Sequence, residues 1–272
     1  MSRREPNCNG APEVPGVLGA GLVAGSPLGP ARAHASSRLV VIMSFPFRRT
    51  VCSAAVLACV ATHPSSLGAQ GAVSGQVVIQ ERPGEVTEDM GNAVVYLEPA
   101  GGAKTKLPVT NAAIALQARQ FAPRVRVVTE GSKIEFPNQD PFNHNVFSKA
   151  SQGPFDTESF GKGKTRDNVF KSAGVYPIYC NVHPRMTAFV ITLKTPYFAQ
   201  ASTDGRFTID KVPAGKYTVH VWHDRGGIQS ADLVVPATGL AGLKYDLDAR
   251  GYKYVQHKNK FGKDYAANGD IY

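Results

Sequence analysis

Short runs of alternating apolar and polar residues recur along most of the chain, separated by Gly, Pro, Asn and Asp. "VSGQVVIQ" (73–80), "NAVVYLE" (92–98), "IALQARQF" (114–121) and "RVRVVTEGSKIEF" (124–136) each carry that period. In the last, "EGS" is a turn; Val125 and Val127 share a face before it, Ile134 and Phe136 after it. "HNVFS" (144–148), "GVYPIYC" (174–180) and "TAFVITLK" (187–194) continue the pattern. A period of two places every second side chain on one face, which is how a half-buried strand reads. No long stretch has the period of an amphipathic helix. The predicted fold class is therefore all-β, a sandwich or barrel.

Residues 149–173, polar and rich in Gly and Lys, read as loop with one edge strand. A boundary is expected near Lys194–Pro196, which makes 70–195 the first domain and 196–249 the second. In the second, "TDGRFTI" and "VPAGKYTVHVW" are turns entering strands. The tail, 250–272, mixes Lys and Arg with Tyr and Phe. It reads as a partly ordered, solvated end, with docking to an acidic partner or anionic surface as the alternative.

Composition changes the picture at the N-terminus. Residues 1–42, rich in Gly, Pro, Ala and Arg, have no apolar periodicity and read as disordered or wrongly translated sequence upstream of Met43. From Met43 the chain resembles a secretory signal peptide. Arg48 and Arg49 give the positive end, "VCSAAVLACVA" (51–61) the short apolar core, and a cut is expected after Ala69. The protein is thus expected to be exported, to the periplasm, with anchoring to a membrane only if Cys59 in "VLAC" carries a lipid. Residues 70–272 then hold 24 Lys and Arg against 19 Asp and Glu, a surplus too small and diffuse to indicate nucleic acid. Cleavage would also remove Cys8, Cys52 and Cys59 and leave Cys180 alone. An unpaired cysteine in an exported protein is an inert buried thiol, a nucleophile or a metal ligand.

The surroundings of Cys180 favour the last. "YCNVHPRM" sets Cys180, His183 and Met186 three apart on one loop after a strand, and "FPNQDPFNHNVF" offers His144 from an earlier one. Thiolate, thioether and imidazole together suit copper; a thioether would be unusual for zinc. A two-His, one-Cys set with a weak Met is the arrangement of blue copper electron-transfer sites.

These two motifs resemble those of the cupredoxins, the plastocyanin/amicyanin-like blue copper proteins, over roughly residues 71–194, which implies a Greek-key β-sandwich there, followed by a smaller β-sandwich. The resemblance implies one type 1 copper ion with His144, Cys180 and His183 as equatorial ligands and Met186 as the axial one. It also implies that Asn145 ties the two ligand loops together through hydrogen bonds. The second unit, on "DGRFTI" and "VPAGKYTVHVW", resembles the carboxypeptidase regulatory-like module. The implied function is a carrier of single electrons between redox protein partners, leaving the ion through His183, and not an enzyme. The alternative is a non-redox copper-binding, storage or structural protein of the cell envelope. A multicopper enzyme would need more His ligands than the five in 70–272. His220 and His223 lie an odd number apart on a strand, so they face opposite ways and share no metal.

Overall fold

A computed structural model describes residues 70–85, 87–102 and 107–265. The leader, the lipidation site and the upstream extension expected from the sequence lie outside them. Among the described residues no helix is long and apolar enough to cross a membrane. Among the described residues, one turn of 3-10 helix, Met90–Asn92, interrupts an otherwise all-β structure.

In chain order the strands are β1 (Gln70–Gln80), β2 (Val94–Pro99), β3 (Asn111–Ala113), β4 (Ala115–Gln117), β5 (Gln120–Ala122) and β6 (Val125–Thr129). Then come β7 (Ser132–Pro137), β8 (His144–Ser148), β9 (Phe155–Phe160), β10 (Thr165–Phe170), β11 (Gly174–Cys180) and β12 (Thr187–Leu193). The last five are β13 (Phe198–Gln200), β14 (Arg206–Pro213), β15 (Gly215–His223), β16 (Gly227–Val235) and β17 (Leu240–Asp248).

They build two sandwiches. The first packs a five-stranded sheet, β6-β12-β11-β8-β9, against the three-stranded β10-β7-β3. Its core includes Ile114, Leu116, Ile134, Phe136, Val146, Phe170, Tyr176, Ile178 and Val190, with Cys180 and Met186 at one end of the same cluster. The second packs β14-β1-β17 against β13-β2-β15-β16 around Val73, Val77, Val95, Leu97, Phe207, Ile209, Val219, Val221 and Leu247. A third apolar cluster, Val94, Val125, Ile191, Leu193 and Trp222, joins β2 and β15 of one sandwich to β6 and β12 of the other.

The expected division at residue 195 is corrected here. β1 runs antiparallel to β14 and parallel to β17, and β2 runs antiparallel to β13 and β15. Residues 70–99 therefore belong to the second sandwich, and the first is an insertion between its second and third strands. Alternation marks a strand but not its neighbour, so the sequence could not show this. Gly75 belongs to the same arrangement. A Cβ there would meet the Leu243 carbonyl of the parallel neighbour, so only Gly allows the approach.

Two local readings also change. "IALQARQF" is not one strand: Ala118 and Arg119, at φ of 52° and 56°, make a two-residue turn between β4 and β5. Both lie in the left-handed region that non-glycine residues disfavour, so something must hold them there. Residues 149–173 carry two strands rather than one. β9 extends the five-stranded sheet beside β8, and β10 pairs with β7.

Candidate metal centre

The pairing of β8 with β11 builds the site. Cys180, the last residue of β11, lies opposite Val146, two residues into β8, so His144 at the start of β8 stands beside the end of β11. The loop after Cys180 then folds back on itself. Met186 N–H donates to the His183 carbonyl at 3.1 Å, closing a four-residue turn with Pro184 at its second position, where a fixed φ is favourable. Cys180 N–H donates to the Met186 carbonyl at 3.3 Å, and Val182 N–H points at the Cys180 sulfur at 3.4 Å.

Cys180 Sγ lies 3.6 Å from Nδ1 of His144 and 3.6 Å from Nδ1 of His183. These three donor atoms lie within 4.8 Å of one another, and all three residues are buried. A transition ion bonded to thiolate at about 2.3 Å and imidazole at about 2.0 Å, with angles between tetrahedral and trigonal, separates sulfur from nitrogen by roughly 3.5–3.7 Å. Both separations of 3.6 Å fall within that range. Met186, 1 % exposed, packs in the same cluster as Cys180.

The protonation states suit a ligand set. Burial holds the His144 imidazole below its ordinary value, so it is neutral. Its Nε2–H donates to Asp140 Oδ2 at 2.8 Å, which fixes the tautomer and turns the Nδ1 lone pair toward Cys180. Burial alone would raise the Asp140 carboxyl. Hydrogen bonds from the Arg119 backbone, His144 and the Ala118 backbone outweigh it and hold the group below the usual carboxylate range. Ala118 N–H and Arg119 N–H reach its two oxygens at 2.7 and 3.0 Å. One carboxylate thus holds both the strained turn and the imidazole. Burial pushes the Cys180 thiol up, so without a cation the sulfur keeps its proton.

Asn145 joins the two loops through its backbone, whose carbonyl accepts from Asn181 N–H at 2.9 Å. Its side-chain amide turns away and donates to Asp156. Phe142 packs against both imidazoles, with ring centroids 5.3 Å from each. His183 edges a cavity of about 440 Å³ that Arg119, Arg124, Arg185, Phe121 and Met186 help to line. Asp140 and Phe142 were both missed by the sequence reading. An Asp four residues before a His has no meaning in a loop until the loop's course is known.

A second cluster, Asp89, His223 and Asp224, also brings three potential ligand atoms within 4.8 Å. It fails as a cation site. Arg225 N–H donates to His223 Nδ1 at 3.2 Å, so that nitrogen holds the lone pair and Nε2 holds the proton, facing the Asp89 carbonyl at 3.2 Å. Asp89 is in turn bound by the Arg225 guanidinium. His220 is elsewhere, stacked on Tyr96 at 4.7 Å and bonded to Ser230.

Comparison with known proteins covers parts of the chain. Residues 187–241 match the family described as Polysaccharide lyase family 4, domain II. That stretch includes most of the unit expected to be carboxypeptidase regulatory-like, and it begins in β12 of the other sandwich. No curated protein matches the chain. Among solved structures, a purple cupredoxin from Nitrosopumilus maritimus is 23 % identical, with 30 % of this chain and 99 % of that one covered and a TM-score of 0.28. Amicyanin from Paracoccus versutus is 21 % identical, with 36 % and 91 % covered and a TM-score of 0.29. A copper-containing nitrite reductase from Thermus scotoductus is 23 % identical, with 43 % and 28 % covered and a TM-score of 0.28.

Proposed function

We propose that the protein is an exported carrier of single electrons, with one copper ion held by His144, Cys180 and His183 and a weak fourth contact from Met186. The observation that carries this reading is the buried triangle of one sulfur and two imidazole nitrogens, both sulfur–nitrogen separations being 3.6 Å. Bound copper would supply one-electron cycling between Cu(II) and Cu(I). The chain does the rest. The β8–β11 ladder, the Pro184 turn and Asp140 hold the donors in place before any ion arrives, so a change of charge asks little movement of them. Val182 N–H at the sulfur favours the state with more negative charge there. Phe142 and the apolar cluster keep water from the donors.

Electrons would pass through His183 into the arginine-lined opening, which suits a redox partner with an acidic face. The rate of exchange with an acidic partner should then fall as ionic strength rises, and Arg185→Glu should slow it.

The direct test is the absorption spectrum of the copper-loaded protein beside its Cys180→Ser variant. An intense thiolate-to-copper band in the first and none in the second is expected, together with reversible one-electron cycling. Copper binding with no such band, or a band that survives in Cys180→Ser, would overturn the reading.

A further inference from the structure

We propose that residues 251–265 form a clasp that fixes the Cys180–Met186 loop and so sets the affinity and reduction potential of the centre, with Tyr265 and Lys260 as its positioning residues. The proposal rests on the metal reading above for its redox half alone. The sequence led us to expect a solvated end, and the structure places this segment against the ligand loop.

The segment is pinned where it leaves the second sandwich. The Arg82 guanidinium donates to the carbonyls of Arg250 and Tyr252 at 3.0 and 2.7 Å. It then crosses β8 and β11, where the His257 ring stacks on Tyr179 at 4.3 Å and meets Phe147 edge-on. A built turn follows, with Asn259 Oδ1 accepting from the backbone N–H groups of Phe261 and Lys263 at 3.0 Å each.

That turn delivers the contacts. Lys260 N–H donates to Asn181 Oδ1, the residue after Cys180, at 2.8 Å. Lys260 Nζ, 17 % exposed, reaches Asp156 at 2.7 Å and Glu158 at 3.1 Å. Asp156 is also the acceptor for the Asn145 amide, so the chain of bonds continues to the residue after His144. Tyr265 Oη donates to the Cys180 carbonyl at 2.7 Å. His257 Nδ1, 3.2 Å from the same hydroxyl, directs its proton at the Lys258 carbonyl at 3.0 Å and so offers Tyr265 no lone pair, which leaves the Cys180 carbonyl to accept the Tyr265 proton.

The Cys180 carbonyl sits where the β11–β12 ladder stops at Tyr179–Thr187, so no neighbouring strand supplies it a donor. Tyr265 supplies one from 85 residues away. A donor aimed at the ligand's own peptide resists movement of the sulfur. It also places the positive end of a dipole beside the thiolate, as the Lys260 ammonium does at longer range. Both favour the reduced state.

The test uses Tyr265→Phe and Lys260→Met in the full chain, with Val234→Ser, an exposed position on β16 away from the clasp, as control. In the copper-free protein, amide exchange of residues 181–186 should rise about tenfold in both variants and not in the control. In the loaded protein, copper affinity should fall by about 10- to 100-fold, the size of effect seen when residues behind metal ligands are lost. The potential should move down, and the charge-transfer band should shift. A Tyr265→Phe protein with unchanged loop exchange, potential and spectrum would overturn the clasp. Failure of the protein to bind copper would defeat the metal reading, and loop exchange in the copper-free protein would still decide the clasp.

Discussion

At the scale of single residues, the centre depends on which groups hold protons. Asp140 is an anion buried among donors, and His144 is neutral because of burial. Asp140→Asn keeps the shape but removes the charge and replaces one acceptor oxygen with an NH₂ facing a backbone N–H. We expect copper affinity to fall by about 10- to 100-fold, and the copper-free protein to lose about 1–3 kcal/mol from the unsatisfied turn. Metal titration and chemical denaturation measure the two separately. The Cys180 thiol, raised by burial, must lose its proton to bind. Loading should release about one proton per ion, and apparent affinity should rise about tenfold per pH unit until the thiol's own range is reached. An affinity that stays flat with pH would show that the sulfur is not a ligand.

At the scale of elements, the end of β1 is locked to the β15–β16 turn by charge. Arg225 bonds to Glu81 at 2.6 and 3.0 Å and also to Asp89. The Arg225 guanidinium holds the Glu81 carboxyl below its ordinary value. Asp89 is raised by burial but lowered further by Arg225, and ends below its ordinary value as well. Arg225 itself is pushed up by Asp89 and then Glu81. Depressed carboxyl values stabilise the folded state fully above the unfolded values, near pH 4. That contribution is lost as pH falls through the folded ones. Arg225→Met should therefore cost about 2 kcal/mol at neutral pH, discounted from a fully buried pair for partial exposure. The gap from the parent should narrow at acid pH, as the carboxyls protonate through their depressed folded-state values below about pH 4. Parallel denaturation curves at the two pH values provide the check, and a gap independent of pH would show that packing rather than charge is the cause.

At the scale of the whole molecule, the two sandwiches are joined by an apolar cluster in which Trp222 packs edge-on to Phe189 at 5.3 Å. Trp222→Ala should cost about 3–5 kcal/mol and separate one unfolding transition into two, with the absorption of the metal centre preserved in the first sandwich. A single transition shifted as a unit would mean that the insertion cannot stand apart from its host. The same join leaves the second sandwich, with its root at Arg82, in position to hold the clasp against the ligand loop.

The chain alone determined what is local. Alternation marked β2, β8, β11 and β12 to within a residue or two, because a strand's period depends on its own side chains. The types and spacing of His144, Cys180, His183 and Met186 were equally visible, because donor chemistry belongs to the residue. Only the tertiary structure decided which strands are neighbours, and so that residues 70–99 close the second sandwich rather than open the first. It also revealed Asp140 behind His144, the left-handed pair at Ala118–Arg119, and Tyr265 on the Cys180 carbonyl. Asp140 and His144 are only four apart, in a loop whose course no period shows, and the other contacts join segments 21 to 85 residues apart. Their energies exist only once the chain has brought its distant parts together, and no period in the sequence records such a meeting.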